Sequence, residues 1–223
     1  MTTTKVELAA GGPEQSLMID GPAGPLALRV QVPAEHRTGW VAVVCHPHPL
    51  FGGSMDNKVV ATLCRAYRDL GLAVVRFNFR GVGASAGVFD HGQGEQEDLR
   101  AVLAWVGDAL AARDVCLAGF SFGSYVASAV WLAPPDGFCL RELVLVAPPV
   151  TRYALPAGPL PASVRILYGD TDEVVEPAAI ADWVRQAQGD AAVKVLVGAG
   201  HFFHGRLNEL KDWVMSTGVL HDA

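Results

Sequence analysis

Apolar positions cluster into short runs, and between the runs lie longer segments in which apolar residues recur every three or four positions. QSLMI (15–19) and LALRVQV (26–32) bracket a polar, glycine-containing turn at 20–24, which predicts an antiparallel hairpin. Six further runs follow at 41–45, 73–79, 114–118, 142–147, 164–168 and 193–197. The segments near 56–70, 95–111, 122–132, 177–188 and 205–215 have helical period. Runs that are apolar throughout suit strands covered on both faces. The alternation therefore predicts a mostly parallel sheet of about eight strands with helices on each side.

The rhythm continues without a linker, an internal repeat or a low-complexity block, so residues 1–223 read as one domain, with a polar start at 1–14 that frays. Proline and glycine concentrate at 148–163, between the sixth and seventh strands. This connection is too short to hold a helical lid, which predicts an open cleft.

Charged residues make up 18% of the chain and the formal net charge is −6, with the basic residues scattered singly. That pattern excludes the phosphate-neutralising surface that nucleic-acid binding requires. The first residues lack the pattern of a secretory signal, and no run is long enough to span a bilayer, so the expectation is a cytoplasmic protein without membrane contact. Cys45, Cys64, Cys116 and Cys139 each sit singly in or beside apolar stretches and read as buried thiols. Oligomeric state leaves no signal in the sequence.

The candidate chemistry begins at Gly119-Phe120-Ser121-Phe122-Gly123. This is GxSxG at the end of a strand and the start of a helix, the arrangement that lifts a serine hydroxyl clear of the sheet on a strained turn. Motif and layout together are those of the α/β-hydrolase fold, on which an acid and then a histidine follow the nucleophile in chain order. After 164–168 comes Gly169-Asp170-Thr171-Asp172-Glu173-Val174-Val175, whose spacing resembles the GxxDxxV acid turn of that fold and selects Asp172 over Asp170. After 193–197 comes Gly198-Ala199-Gly200-His201, which selects His201 as general base, with His204 as the alternative. In these roles Ser121 is the nucleophile, and Asp172 fixes the tautomer of His201 and stabilises its imidazolium. The oxyanion donors are then the backbone NH of Phe122 and one from the loop 46–53. Pro47 and Pro49 have no NH, which leaves His48, Leu50 and Phe51 as early donors.

The blocks HPHPLFGGSMDNKVV (46–60), RFNFRGVGASAG (76–87) and FDHGQGEQEDL (89–99) resemble the signatures of a group of small bacterial lidless α/β-hydrolases. The resemblance extends from about residue 25 to 205. It implies an esterase-like serine hydrolase. The Leu50-Phe51-Gly52 setting resembles the donor loop of dienelactone-hydrolase-like enzymes, which implies Leu50 as the second oxyanion donor, with His48 next; those enzymes carry cysteine at the elbow, so their substrate does not transfer. Within the blocks, Arg80 with Glu95 or Asp98 reads as an ion pair bracing the following loop, and Asp56-Asn57 as a helix start.

Three rival readings are weaker. GVGASA (81–86) satisfies GxGxxA after a strand, but the glycines that follow keep the chain in loop where a dinucleotide fingerprint needs a helix. His46, His48, His91, His201, His204 and Asp90 offer metal ligands without the spacing of a metal motif, and no cofactor is called for. A binding protein on a hydrolase scaffold would not need the full set of Ser121, Asp172 and His201. The expected substrate is a small carboxylic ester or thioester of short to medium acyl length, held in a cleft rimmed by Leu50, Phe51, Phe122 and Phe202, with Phe51 and Phe202 contacting it. Peptide and C–C bond hydrolysis share the same triad and differ only in the pocket.

Overall fold

In the computed structural model, which describes residues 8–216 and Gly218, the chain forms one eight-stranded sheet and five α-helices. The strands are β1 (Gln15–Ile19), β2 (Leu26–Gln31), β3 (Trp40–Cys45), β4 (Ala73–Phe77), β5 (Asp114–Phe120), β6 (Cys139–Val146), β7 (Val164–Gly169) and β8 (Ala192–Leu196). The helices are α1 (Lys58–Asp69), α2 (Gln93–Ala109), α3 (Phe122–Leu132), α4 (Pro177–Ala187) and α5 (Leu207–Ser216). The order across the sheet is β1-β2-β4-β3-β5-β6-β7-β8, with β1 and β2 antiparallel and β3 to β8 parallel to one another.

Successive side chains on a strand point to opposite faces, and both faces are apolar. Val41, Val43 and Cys45 of β3 join one core, which α2, α3 and α4 cover. Ala42 and Val44 join the other, beneath α1 and α5. This two-sided burial explains why the runs carry no polar alternation. Helix α1 buries Val59, Val60, Leu63, Cys64, Ala66 and Tyr67 on one stripe, and Asn57 starts it by accepting the Val59 NH at 2.8 Å.

Several expectations need correction. Residues 1–7 of the expected frayed start lie outside the described residues. Residues 8–14 are tied down: the Gly11 NH donates to Val32 O at 2.9 Å and Glu14 pairs with Arg76 at 2.7 Å. Cys139 is exposed because β6 begins there, three residues earlier than the apolar run; the other three thiols are buried. Strand β8 is an edge strand, so Val193 and Val195 stay partly exposed despite the apolar run.

The connection after β3 leads to β4 on one side, whereas β5 lies on the other side of β3. A crevice opens at the carboxyl ends of strands where the order reverses in this way. The loops following β3 and β5 meet there.

Candidate active site

Ser121 is the residue between β5 and α3, with φ 53° and ψ −120°, a conformation that costs a non-glycine residue roughly 1–3 kcal/mol. Its surroundings hold it there. The Ser121 NH donates to Val146 O at 2.8 Å, and Ser124 donates from its backbone NH to Ser121 O and from its hydroxyl to Gly119 O. The flanking glycines are required by space. A Cβ on Gly119 would lie 2.2 Å from Gly123 O, and one on Gly123 would lie 2.3 Å from Cys45 O. The Phe122 NH belongs to the first turn of α3, where no preceding helical carbonyl is available to it.

Strand β7 delivers Asp172 and β8 delivers His201. Asp172 Oδ1 accepts the Val174 and Val175 NH groups, each at 2.8 Å, and Oδ2 receives His201 Nδ1 at 2.7 Å. Burial acts to raise the Asp172 pKa, but the bonds from His201, Val175 and Val174 outweigh it and hold the carboxyl below the ordinary carboxylate range. Asp170 instead accepts the Gly198 NH at 2.6 Å and fixes the turn between the two strand ends. His204 is exposed and has no carboxylate partner among the described residues.

The loop after β3 contains a short 3-10 helix, Pro49–Phe51. Its amides are largely engaged. The Leu50 NH donates to His48 Nδ1 at 3.2 Å, and the Phe51 and Gly53 NH groups donate to His48 O. The His48 NH has no acceptor among the described residues. The Leu50 amide, preferred from sequence, is thus engaged by the histidine side chain two residues before it, whereas the His48 amide is unengaged among the described residues. Sequence could not reveal this, because it depends on how the imidazole folds back on its own loop.

A model of the X-Pro dipeptidyl-peptidase (S15) family matches residues 20–155. A lidless α/β serine hydrolase from Xanthomonas campestris is 42% identical, with a TM-score of 0.83 over 91% of this chain and 92% of its own. The chain belongs to the S15 family of α/β serine hydrolases. A serine hydrolase homologue from Coxiella burnetii is 41% identical, with a TM-score of 0.79 over 91% of this hydrolase and 96% of its own chain. A protein of Rickettsia prowazekii (strain Madrid E) is 35% identical over 179 residues, which is 76% of this chain and 74% of that one.

In this hydrolase Ser121 and His201 line a single cavity of about 350 Å³ at the carboxyl end of the sheet. Phe51 and Phe202 line it too, and both are exposed, whereas Leu50, also exposed, is not among the residues that line it. No helix forms between β6 and β7, so the cleft has no lid; Pro149, Arg152 and Tyr153 from that connection form one wall. Sequence reasoning missed Arg152 and Tyr153. They sit in a proline-rich loop with no motif, and only folding brings them to the cavity. Among the described residues no three of His, Cys, Asp and Glu come together to hold a metal ion, and none of the described helices is long and apolar enough to cross a membrane. Of the histidines raised as ligands, His46 is buried, with Nδ1 at 2.6 Å from Pro47 O and Nε2 accepting the Phe79 NH at 3.0 Å.

Proposed function

We propose that the protein hydrolyses carboxylic esters, and thioesters by the same steps, of short to medium acyl length. The observation that carries the reading is the 2.7 Å bond between His201 Nδ1 and Asp172, made by a histidine that lines the same cavity as Ser121 on its strained turn. With Nδ1–H donating to Asp172, Nε2 is free to accept a proton. Ser121 Oγ attacks the ester carbonyl carbon while Nε2 takes the hydroxyl proton. The resulting oxyanion is held by the NH groups of Phe122 and His48. Collapse breaks the carbonyl carbon to alkoxy oxygen bond, and His201 returns its proton to the departing alcohol. Water then attacks the acyl-serine with His201 again as base, which releases the acid and restores Ser121.

An ester is favoured over an amino-terminal peptide by charge. A dipeptidyl-peptidase must receive the ammonium of its substrate, and among the described residues no carboxylate side chain lines the cavity. Burst kinetics on 4-nitrophenyl acetate and butyrate test the reading. The wild type should release one equivalent of nitrophenol rapidly before slower turnover, and Ser121→Ala should show neither phase. Turnover that survives in the variant overturns the mechanism. Faster cleavage of Ala-Pro-4-nitroanilide than of either ester overturns the substrate class.

A further inference from the structure

Arg152 is the one permanently charged side chain among the described residues that line the cavity. It has no carboxylate partner among them, in a protein whose net charge is −6 and whose other arginines are mostly paired. Its loop is braced. The Arg152 and Tyr153 NH groups both donate to Pro149 O, at 3.0 and 3.2 Å, and the Tyr153 ring stacks on Tyr125 at 4.6 Å and meets Phe122 edge-on at 5.4 Å. Arg152 is thus an exposed side chain on a braced turn, and it lines the same cavity as His48.

His48 adds a second donor. Its ring packs between Phe51, Phe89 and Phe122, with centroids at 4.7, 4.7 and 5.0 Å. Because Nδ1 accepts the Leu50 NH, the neutral ring carries its proton on Nε2. Burial, then Arg152, then His91 all act to lower its pKa and keep it neutral. A planar guanidinium and a neutral imidazole donor lining one cavity with Phe51, Phe122 and Phe202 match a carboxylate joined to an apolar chain or ring. Glu95, at the start of α2, is occupied in accepting the Asp90 and Gly92 NH groups at 2.9 and 2.7 Å.

We infer that the substrate carries a carboxylate remote from the scissile carbonyl, and that Arg152 selects for it. This rests on the ester-hydrolase reading of the same site. The carboxylate belongs either to the acyl chain or to the leaving group, and two matched pairs separate these sources. Mono-4-nitrophenyl adipate against 4-nitrophenyl hexanoate places the charge on the acyl side. 4-Acetoxybenzoate against its methyl ester places it on the leaving group.

In the wild type one pair should show kcat/KM higher for the anionic member by roughly five- to tenfold, and the advantage should shrink as salt rises. In Arg152→Met the ratio should fall to about one, and in Arg152→Glu it should fall below one. Titration calorimetry with adipate and benzoate gives a readout that needs no turnover: one of the two should bind the wild type and neither should bind Arg152→Met. If no ester of either pair is cleaved, the esterase reading falls and calorimetry alone decides this one. The inference is overturned if the neutral member is equal or better in both pairs, if the preference survives in Arg152→Met, or if neither carboxylate binds an enzyme that cleaves no ester.

Discussion

His46 shows how a single buried side chain shapes the site without taking part in its chemistry. Its ring joins the loop after β3 to the backbone beyond β4, donating to Pro47 O and accepting from the Phe79 NH. Burial first, opposed by the Pro47 bond and assisted by nearby His48, pulls its pKa down to about 4. Protonation would also cost it the bond from Phe79. In the unfolded chain the group titrates near about 6.5, so between these values the unfolded state binds the extra proton. Stability should therefore fall as pH drops from about 6.5 to about 4, by about 3 kcal/mol in all. Asp172 acts in a different window. Held below its ordinary value, it contributes stability above about 3.9 that is lost only as pH falls further. Urea unfolding midpoints of wild type and His46→Asn from pH 7 to 4.5 check this: the wild-type curve should slope more steeply, and parallel curves would remove His46 as the cause.

At the scale of elements, the loop between β4 and α2 carries Phe89 to the cavity side, and ion pairing holds it there. Arg80 donates to Asp98 from its backbone NH at 2.9 Å and from Nη2 at 2.8 Å, and the Asp98 side chain is fully buried. Glu95 closes the start of α2 by accepting the Asp90 and Gly92 NH groups. Removing one member of a buried pair strands the other charge, so Asp98→Ala should cost about 3–5 kcal/mol in urea unfolding. The double change Arg80→Met with Asp98→Leu should recover most of that loss, since no stranded charge remains; no recovery would mean that the pair matters through loop geometry. On the opposite face, Glu142 of β6 receives the Tyr67 hydroxyl from α1 at 2.7 Å and Arg165 from β7 at 3.1 Å. Arg165 also donates to Val214 O and Trp213 O, which ties α5 to the sheet.

Taken whole, the molecule presents an open cleft at the reversal of strand order, with a cavity of about 350 Å³ near the lower end of the range for small-molecule sites. Without a lid it buries little of a long acyl chain. On 4-nitrophenyl esters of increasing length kcat/KM should peak at butyrate or hexanoate and fall by palmitate; a steady rise to palmitate would contradict the short-acyl reading. Most of the architecture was legible before folding. Runs such as VAVVC and DVCLA must be strands covered on both faces because they have no polar side to give to water, and the GxSxG turn announces itself through glycines whose absent side chains make room for neighbouring backbone. Spacing after β7 and β8 likewise singled out Asp172 and His201, the pair joined at 2.7 Å, because strand ends on this fold face one side. Three things waited for the tertiary structure. One is the exposure of β8, which depends on its place at the sheet edge. Another is the occupation of the Leu50 amide by the His48 ring. The last is the arrival of Arg152 in the cavity wall from a proline-rich loop. Sequence determined what periodicity and local turn chemistry encode, since those act between near neighbours along the chain; edge position, a folded-back side chain and a cation brought to a cavity wall are relations between distant segments, and only packing decides them.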